Sequence, residues 1–411
     1  MLLTERHIIK KSDPQFTEAD KLCFLSKNLY NAGLYQVRQH FFEHKTFQNF
    51  VQSNENFVKS NNPDYRALPA KVSQQTLKMV EQNFKSFFGL LKAKKSETYT
   101  KKVKIPNYLS KEGKFVVTYT DQAFSKVLLK KGILNPSKTK LKIKTDKQNI
   151  RQFRLIPKGS HIVAEVIYEV AEEVLKKDNG KYASIDLGLN NLATIVSNVS
   201  KPFIINGRPL KSINHFYNKS KAKLQSILGD KKTSKKIQQL GYKRNNKITD
   251  YLHKASRFII NHLVSEGINT LIVGYNKEWK QEINIGSKNN QNFVQIPFTK
   301  LLQMLEYKCK LSGILFKKQE ESYTSKCSFF DNEVVKKHEL YAGKRVKRGL
   351  FKTGNNLMVN ADVNGSLNIM KKAVGEVDFR YPIQVCSTPH KVKTAGLYPA
   401  KTLTKTNIVF V

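Results

Sequence analysis

Short apolar runs, separated by polar and helical segments, are the strongest constraint on how the second half of this chain can fold. The segment YASIDLGLNNLATIVS predicts a strand that ends near an acid, a turn and a second strand. INTLIVGYN and ILFKKQEES predict two further strands, with helical patterns between and after these runs. This order predicts an α/β domain in which helices pack against a mixed sheet.

Residues 1–175 have a different pattern, in which strand-like segments surround a helical one. Apolar residues recur at helical spacing from Ser73 onwards. Four later segments have strand-like composition: Phe115–Thr120, Lys140–Thr145, Phe153–Pro157 and His161–Val170. We therefore predict a β element that is interrupted by a helical insertion and ends at the polar turn Lys176–Lys181.

An aromatic stripe marks the first helical segment, where Tyr30, Tyr35, Phe41 and Phe42 lie near Arg38. Aromatic rings beside cations can stack on nucleic-acid bases. The same spacing is more often the buried face of a helix. Both interpretations stay open at the level of the sequence.

The charge of the chain is an argument about its partners. Lys and Arg total 72 against 32 Asp and Glu, which gives a formal net charge of +40. Between Arg208 and Arg257 there are 14 basic residues and two acids. Polyphosphate chains are the natural partner of such a surface, because each neutralised phosphate releases condensed cations. The composition predicts a nucleic-acid-binding protein.

The four cysteines are scattered and form no CxxC pair, so neither a disulfide framework nor a short-range metal motif is indicated. The N-terminus lacks the apolar core of a signal peptide, and no apolar run is long enough to span a bilayer. We expect a soluble, intracellular protein that has no membrane partner.

Acidic residues stand at three places where a metal-dependent nuclease would need them. Asp186 ends the first apolar run, Glu320 and Glu321 precede YTSKC, and Asp362 lies in VNADVNGSLNI. Taken singly, each has a simpler explanation as a turn residue, a surface acid or a helix cap. Together they suit a site that holds two divalent ions about 3.5–4 Å apart for phosphodiester cleavage. Mg²⁺ and Mn²⁺ prefer such oxygen ligands.

Longer motifs carry a family resemblance. SIDLGLNNLAT, WKQEINIGSKNNQNFVQIPF, EESYTSKCSFFDNE and RGLFKTGNNLMVNADVNGSLNI resemble the RuvC-like nuclease domain of TnpB proteins. These are transposon-encoded, RNA-guided DNA endonucleases related to type V CRISPR effectors and Fanzors. LYNAGLYQVRQHFF, LPAKVSQQTLKMVEQNFKSFF and KVKIPNY resemble the N-terminal part of the same family, so the similarity covers roughly residues 1–375.

The resemblance implies an α/β multidomain protein with an RNase H-like (RuvC) nuclease domain at residues 176–321 and 359–375. A small insertion that binds the target nucleic acid would occupy residues 322–358. Residues 376–411 have no strong period and are expected to form a basic, flexible tail.

The N-terminal part would be a β-barrel-like wedge domain at residues 1–16 and 100–175, with a helical recognition insertion at residues 17–99. The resemblance also implies a guide RNA derived from the transposon end and a double-stranded DNA target next to a short motif. It places the protein in the cytoplasm of a bacterium or archaeon, at the nucleoid. Delegating sequence choice to base pairing would explain a surface that is basic everywhere.

Gly274 departs from the family, which usually has a glutamate at this position of the strand. Some members carry this acid on the neighbouring strand, just before the T-S-K segment. Here Glu320 or Glu321 would fill that role, and successive strand side chains face opposite sides. Glu321 is favoured as the catalytic and metal-binding residue, together with Asp186 and Asp362. Glu278 and Glu282 follow the strand in a loop and are less suitable.

A second departure concerns zinc, which the family commonly holds in the inserted subdomain with two CxxC pairs. Cys327 has no such partner, because Phe330 stands at that position, and Cys327 and His338 supply at most two ligands. Structural zinc needs four ligands, so none is expected. Apolar residues are expected to pack the subdomain instead: Phe329, Phe330, Leu350 and Phe351.

Two alternatives were weighed against an active nuclease. Gly274 would fit a nuclease-dead, RNA-guided DNA-binding protein that acts like a repressor, although Asp186 and Asp362 are retained. An actin-like ATPase or sugar kinase shares IDLG-type segments, but it needs further glycine-rich phosphate loops that the chain lacks.

Overall fold

The computed structural model describes residues 1–229, 233–276, 291, 294–381 and 383–397. The chain divides into two compact units, of which the first is Met1–Val170 and the second begins at Ala171. Both units combine helices with sheets, so the predicted α/β class is confirmed. None of the helices in these ranges has the length and apolar character needed to cross a lipid bilayer.

In the sequence of the first unit, a group of helices lies between the first strand and the other strands of the sheet. Its strands are β1 (Leu2–Lys10), β2 (Val117–Thr120), β3 (Ile133–Leu134), β4 (Ile143–Lys144), β5 (Ile150–Pro157) and β6 (His161–Glu169). Its helices are α1 (Phe16–His44), α2 (Phe50–Lys59), α3 (Pro63–Arg66), α4 (Ala70–Lys95) and α5 (Lys126–Lys130).

The main sheet of this unit is antiparallel with the order β1-β6-β5-β2, and β3 pairs with β4 in a separate hairpin. β1 pairs with β6 along its whole length, from Leu2 opposite Glu169 to Lys10 opposite His161. Because β1 and β2 are edge strands, the described part of this sheet stays open and does not close into the barrel-like form expected from the sequence.

The aromatic stripe of α1 divides between the core and the surface. Tyr30 is 4% exposed and packs with Phe84 of α4, as expected for a helix core. Tyr35 is 59% exposed and Phe42 is 46% exposed. The Arg38 guanidinium lies 4.9 Å from the centre of the Tyr108 ring. One face of α1 is therefore core, whereas the other presents aromatic rings and a cation to solvent.

The second unit is built on a six-stranded mixed sheet. The described strands of this unit, which include three of a separate small sheet, are β7 (Tyr182–Leu187), β8 (Asn191–Ser197), β9 (Phe203–Asn206), β10 (Thr270–Gly274), β11 (Leu315–Gln319), β12 (Lys344–Lys347), β13 (Leu350–Lys352), β14 (Met358–Asn360) and β15 (His390–Val392). Its helices are α6 (Arg208–Ser226), α7 (Lys235–Ser265), α8 (Phe298–Lys310) and α9 (Ala361–Val374).

The strand order of the large sheet is β11-β10-β7-β8-β9-β15. β7, β8 and β9 form an antiparallel meander, whereas β10 runs parallel to β7 and β11 runs parallel to β10. The carboxyl ends of β7, β10 and β11 therefore meet at one edge of the sheet. Each of the three predicted acidic positions belongs to this edge or to the helix beside it.

Alternation along β7 assigns its side chains to two faces. Ile185 and Leu187 enter a large core that contains residues of α7 and α8. Ser184 points the other way and donates a hydrogen bond of 2.7 Å to the carbonyl of Ser366 in α9. On that second face, Ile272 of β10 packs against Ile369 of α9. The sheet is thus covered on both sides, with α9 on the face to which Asp186 belongs.

Two further segments of the second unit form strands. β12, β13 and β14 form a small antiparallel sheet inside the expected insertion. The expected tail behaves differently, because His390–Val392 pairs in parallel with β9 and extends the large sheet. For these residues the prediction of a flexible tail is wrong, since their backbone is paired and the Val392 side chain is buried in the core.

A buried lysine makes the stability of the second unit depend on pH. Lys308 of α8 is 1% exposed, and its Nζ donates to the carbonyl of His253 and to Ser256 Oγ at 2.9 and 2.6 Å. Burial lowers the pKa of Lys308 to about 7, with a further contribution from Arg257. Because the folded pKa lies below the ordinary value, the burial cost is full below pH ~7 and fades as pH rises towards ~10.

We predict that Lys308→Met raises the free energy of unfolding by about 2 kcal/mol at pH 6 and removes most of the rise in stability between pH 7 and 10. Urea titrations at several pH values measure this. Lys310→Met on the same helix is the matched control, because Lys310 is exposed. A Lys308→Met variant with the same pH profile as the parent protein would contradict the prediction.

Candidate active site

Asp186 lies one residue before the end of β7, on the face that α9 covers. A Cβ atom added at Gly365 of α9 would be 3.3 Å from Asp186 Oδ2, so the glycine leaves room for the carboxylate. No described residue donates a hydrogen bond to this carboxylate. Asp186 is therefore partly exposed, and the acceptor capacity of its carboxylate is unused by the described residues.

Asp362 occupies the first turn of α9, but it does not cap the helix. The cap is Asn360, whose Oδ1 accepts hydrogen bonds from the backbone N–H groups of Asp362 and Val363 at 3.0 and 3.2 Å. The Asp362 carboxylate instead accepts from Asn191 Nδ2 at 2.6 Å and from Arg345 at 3.2 Å. Asn360 is therefore the N-cap of α9, and capping does not explain the presence of Asp362.

Glu320 and Glu321 directly follow β11 and have different partners. Glu320 forms an ion pair with Lys372 of α9 and accepts from the backbone N–H of Ser322 at 2.7 Å. Glu321 exchanges two hydrogen bonds with Asn276, one to its Oε1 at 3.2 Å and one from its backbone N–H at 3.3 Å. The two adjacent acids are therefore directed to different surroundings, as alternation along an extended chain predicts.

Gly274 ends β10, between the strand of Asp186 and the strand that leads to Glu321. The parallel register sets Val273 opposite Ile185 and Gly274 opposite Gln319. A Cβ atom at position 274 would be only 2.7 Å from Glu321 Oε2 and 2.6 Å from Ile369 Cδ1. The Glu321 carboxylate thus fills the space that a side chain on β10 would need.

The pKa values show which acids interact. The pKa of Asp186 is raised well above its ordinary value, first by burial and then by the charges of Asp362 and Glu321, while Arg345 opposes the shift. Burial raises the pKa of Glu321 to about 7, with a smaller effect of Glu320. The ion pair with Lys372 lowers the pKa of Glu320 to about 2. Asp362 and Glu321 are thus both close enough to Asp186 for their charges to act on it.

A cavity of about 590 Å³ opens beside Asp362. Asn191, Asn360 and the loop that follows β7 form part of its wall. The remaining side chains that line it are mostly cationic: Arg208, Arg345, Arg348 and Lys391. A solvent-filled space with one carboxylate and several cations suits an anionic chain that passes the acid.

Two predicted candidates cannot be placed, and three residues of the site were not predicted. Glu278 and Glu282 lie outside the described residues. The sequence did not predict Asn191, which donates to Asp362, or Asn276, which donates to Glu321. It also did not predict Arg345, which pairs with Asp362. Asn191 belongs to a motif already singled out, whereas nothing local marks Arg345 among the many cations of the insertion.

A second group of metal-binding residue types lies in the insertion. Cys327, Glu333 and His338 have ligand atoms within 4.8 Å of one another. His338 Nε2 lies 2.7 Å from the carbonyl oxygen of Val334, so this nitrogen carries a proton. The Cys327 sulfur lies 3.6 and 3.4 Å from the carbonyl oxygens of Val334 and Lys336, which suits a thiol and repels a thiolate.

Glu333 is also held by hydrogen bonds. Its two carboxylate oxygens accept from the backbone N–H groups of Ser328 and Ala342 at 2.7 and 3.2 Å. Zinc needs a thiolate, which the carbonyl contacts of Cys327 disfavour, and a structural site needs a fourth ligand, although His338 Nδ1 stays available for binding. The described residues of this group instead form a set of hydrogen bonds. They do not fit a structural zinc site.

Several parts of this chain are similar in sequence to known proteins. The family model described as "Probable transposase" (OrfB_IS605) matches residues 165–280, and the model "Cas12f1-like, TNB domain" matches residues 298–369. A TnpB-like protein of Acidianus two-tailed virus is 24% identical over 409 residues, covering 87% of this chain and 83% of the relative. A TnpB-like protein of Methanocaldococcus jannaschii is 26% identical over 243 residues, covering 52% and 82%.

Among solved structures, the mini-RNA-guided endonuclease CRISPR-Cas phi3 is 9% identical with a TM-score of 0.49, and the match covers 92% of this chain and 93% of that one. The two sequence models and the two relatives show that the chain is similar to TnpB proteins, and the viral relative matches 87% of it.

We predict that a zinc-selective chelator leaves the thermal midpoint of the protein unchanged, because Cys327, Glu333 and His338 are held by hydrogen bonds rather than by a metal. Differential scanning fluorimetry measures the midpoint, and elemental analysis of the purified protein measures its zinc content. Stoichiometric zinc, with a midpoint that falls on chelation and returns on adding zinc back, would refute this interpretation.

Proposed function

We propose that the protein is an RNA-guided DNA endonuclease that cleaves guide-matched DNA next to a short motif. Asp186, Glu321 and Asp362 would hold two divalent cations at the cleaved phosphodiester. The observation that carries the proposal is the exchange at Gly274, where the missing side chain is matched by the Glu321 carboxylate at 2.7 Å from its Cβ position. An acid that follows β11 would thereby take the place of an acid on β10.

The donor chemistry fits Mg²⁺ or Mn²⁺. Burial, followed by the charges of Asp362 and Glu321, raises the pKa of Asp186, and bound cations would relieve the repulsion from these two charges. Arg345 already offers one positive charge to Asp362. When bound, a pair of divalent ions would activate a water molecule and stabilise the leaving oxygen. The unused acceptor capacity of Asp186 also suits a metal ligand.

The remaining residues of the site would orient the carboxylates and attract the substrate. Asn191 and Asn276 fix Asp362 and Glu321 through the hydrogen bonds described above. Hydrogen bonds of this kind typically hold a metal-binding group in one orientation. Arg345 sets a fixed cation at the wall of the cavity, where a phosphodiester would enter.

The other proposed parts are supported by the similarity to TnpB proteins and by the charge of +40. The first unit would supply the wedge and recognition functions, the insertion would contact the target, and a transposon-end RNA would choose the sequence by base pairing. The exposed aromatic and cationic face of α1, with Tyr35 and Arg38, is suited to contacts with nucleic acid.

Gly274 also motivates a second candidate, a nuclease-dead RNA-guided DNA-binding protein. In that case the edge of the sheet would hold two acids and the third would be lost. The position of Glu321 argues against this, because its burial and raised pKa are a cost that a pure binding protein has no reason to retain. Binding of matched DNA without any nick in Mg²⁺ or Mn²⁺ would favour this candidate.

The proposal is tested with the protein purified together with its flanking RNA. We expect Glu321→Gln to slow cleavage of guide-matched DNA in Mg²⁺ by at least about a hundredfold, because the loss of one carboxylate ligand removes several kcal/mol of charge stabilisation. Glu320→Gln is the matched control, since its side chain is engaged by Lys372. If both variants cleave at the parental rate, Glu321 is not a metal ligand.

A second prediction concerns the space at Gly274. Gly274→Glu restores the usual family residue, yet we expect it to lower cleavage, because its Cβ would collide with Glu321. The double variant Gly274→Glu, Glu321→Ala should be more active than Gly274→Glu alone, since the collision is gone and one acid remains.

Gly241→Ala in α7 controls for a general effect of replacing glycine, because its Cβ would meet only Tyr217 Oη at 4.0 Å. Thermal midpoints of all variants separate misfolding from loss of chemistry. A Gly274→Glu variant as active as the parent would show that the two side chains do not compete for one space.

A further inference from the structure

The segment after α9 returns to the nuclease domain as a strand. β15 pairs in parallel with β9, from His390 opposite Phe203 to Val392 opposite Ile205. Val392 is 4% exposed and Leu397 is 3% exposed, and both belong to the large core of the second unit. The apolar side chains anchor the segment, so the residue between His390 and Val392 has a defined position.

That residue is Lys391, and its side chain lines the cavity beside Asp362. Alternation along the strand directs Val392 into the core and leaves Lys391 on the outer face. Arg208, at the start of α6 directly after β9, and Arg348, between β12 and β13, line the same cavity. Three segments that are distant in sequence thus each contribute one cation to the lining of this cavity.

These three cations differ from Arg345, which pairs with Asp362. Arg208, Arg348 and Lys391 are exposed, and none of them forms an ion pair with a residue in the described ranges. Like charges gathered around one cavity repel one another unless an anion joins them. Guanidinium groups bind phosphate in a fork geometry, and the ammonium of lysine binds it as a point charge.

We propose that Lys391, with Arg208 and Arg348, binds a phosphate of the DNA strand adjacent to the phosphodiester that is cleaved at Asp362. The C-terminal strand is then a working part of the nuclease, although the sequence presents it as a tail. This inference rests on the proposed function. It adds a substrate-binding site and a residue, Lys391, that lies outside both matched family models.

The first experiment measures binding without catalysis. Complexes of protein and guide RNA are titrated with matched DNA in EDTA at several salt concentrations. The slope of log K against log salt should fall by about one for Lys391→Gln, because one phosphate contact is lost. Lys393→Gln is the matched control, since Lys393 is exposed near the end of the same strand and does not line the cavity. Equal slopes for the two variants overturn the proposal.

The second experiment identifies the phosphate. Single phosphates on either side of the cut are replaced by neutral methylphosphonates, and single-turnover cleavage in Mg²⁺ is measured. For the parent protein, one position should slow cleavage by about tenfold, and Lys391→Gln should be insensitive to the same replacement. A purely structural role of Lys391 would slow all substrates alike and leave this position fully sensitive.

Two further results separate the inference from the proposed function. Asp362→Asn should abolish cleavage and leave binding in EDTA intact; if it cleaves normally, the proposed nuclease site is wrong. If Asp362→Asn is inactive but no methylphosphonate position is coupled to Lys391, only the inference about Lys391 fails. Loss of guide RNA from purified Lys391→Gln would assign the cation to RNA binding and would also overturn it.

Discussion

The contact between Glu321 and Gly274 is the constraint on which the arrangement of the site depends. β7, β10 and β11 are parallel and adjacent, so their carboxyl ends form a continuous edge at which one side chain per strand can approach the helix α9. With a side chain on β10, the carboxylate of Glu321 and the end of the Ile369 side chain would have to shift, because the added Cβ would lie less than 3 Å from both. Because Gly274 has no β-carbon, the carboxylate of Glu321, which follows the neighbouring strand β11, can occupy the space at the end of β10.

Lys372 and Asn276 explain why the two adjacent glutamates are not interchangeable. Alternation along a strand requires Glu320 and Glu321 to point in different directions, and the sequence alone predicts this much. The choice between them depends on partners 45 and 52 positions away in the chain, Asn276 for Glu321 and Lys372 for Glu320. The local pattern of the strand carries no information about either partner.

Regular, buried elements were predictable, and short or polar ones were not. Phe298, Leu301, Leu302 and Leu305 share one face by helical period, and all four are buried where α8 meets the core. Their period is a local signal, because one face of the helix packs along its whole length. β15 has three residues and two of them are polar and exposed, so no period could reveal it. Its pairing depends on β9, far away in sequence.

The parallel strand β15 has a consequence for the sheet itself. Without it, β9 would be an edge strand, and its residues Phe203, Ile204 and Ile205 are all apolar and at most 6% exposed. Uncovered edges with apolar side chains are templates for pairing with another chain, and natural sheets protect them. A chain shortened before His390 would therefore become prone to self-association, and weak activity of such a truncated protein would report aggregation as much as chemistry.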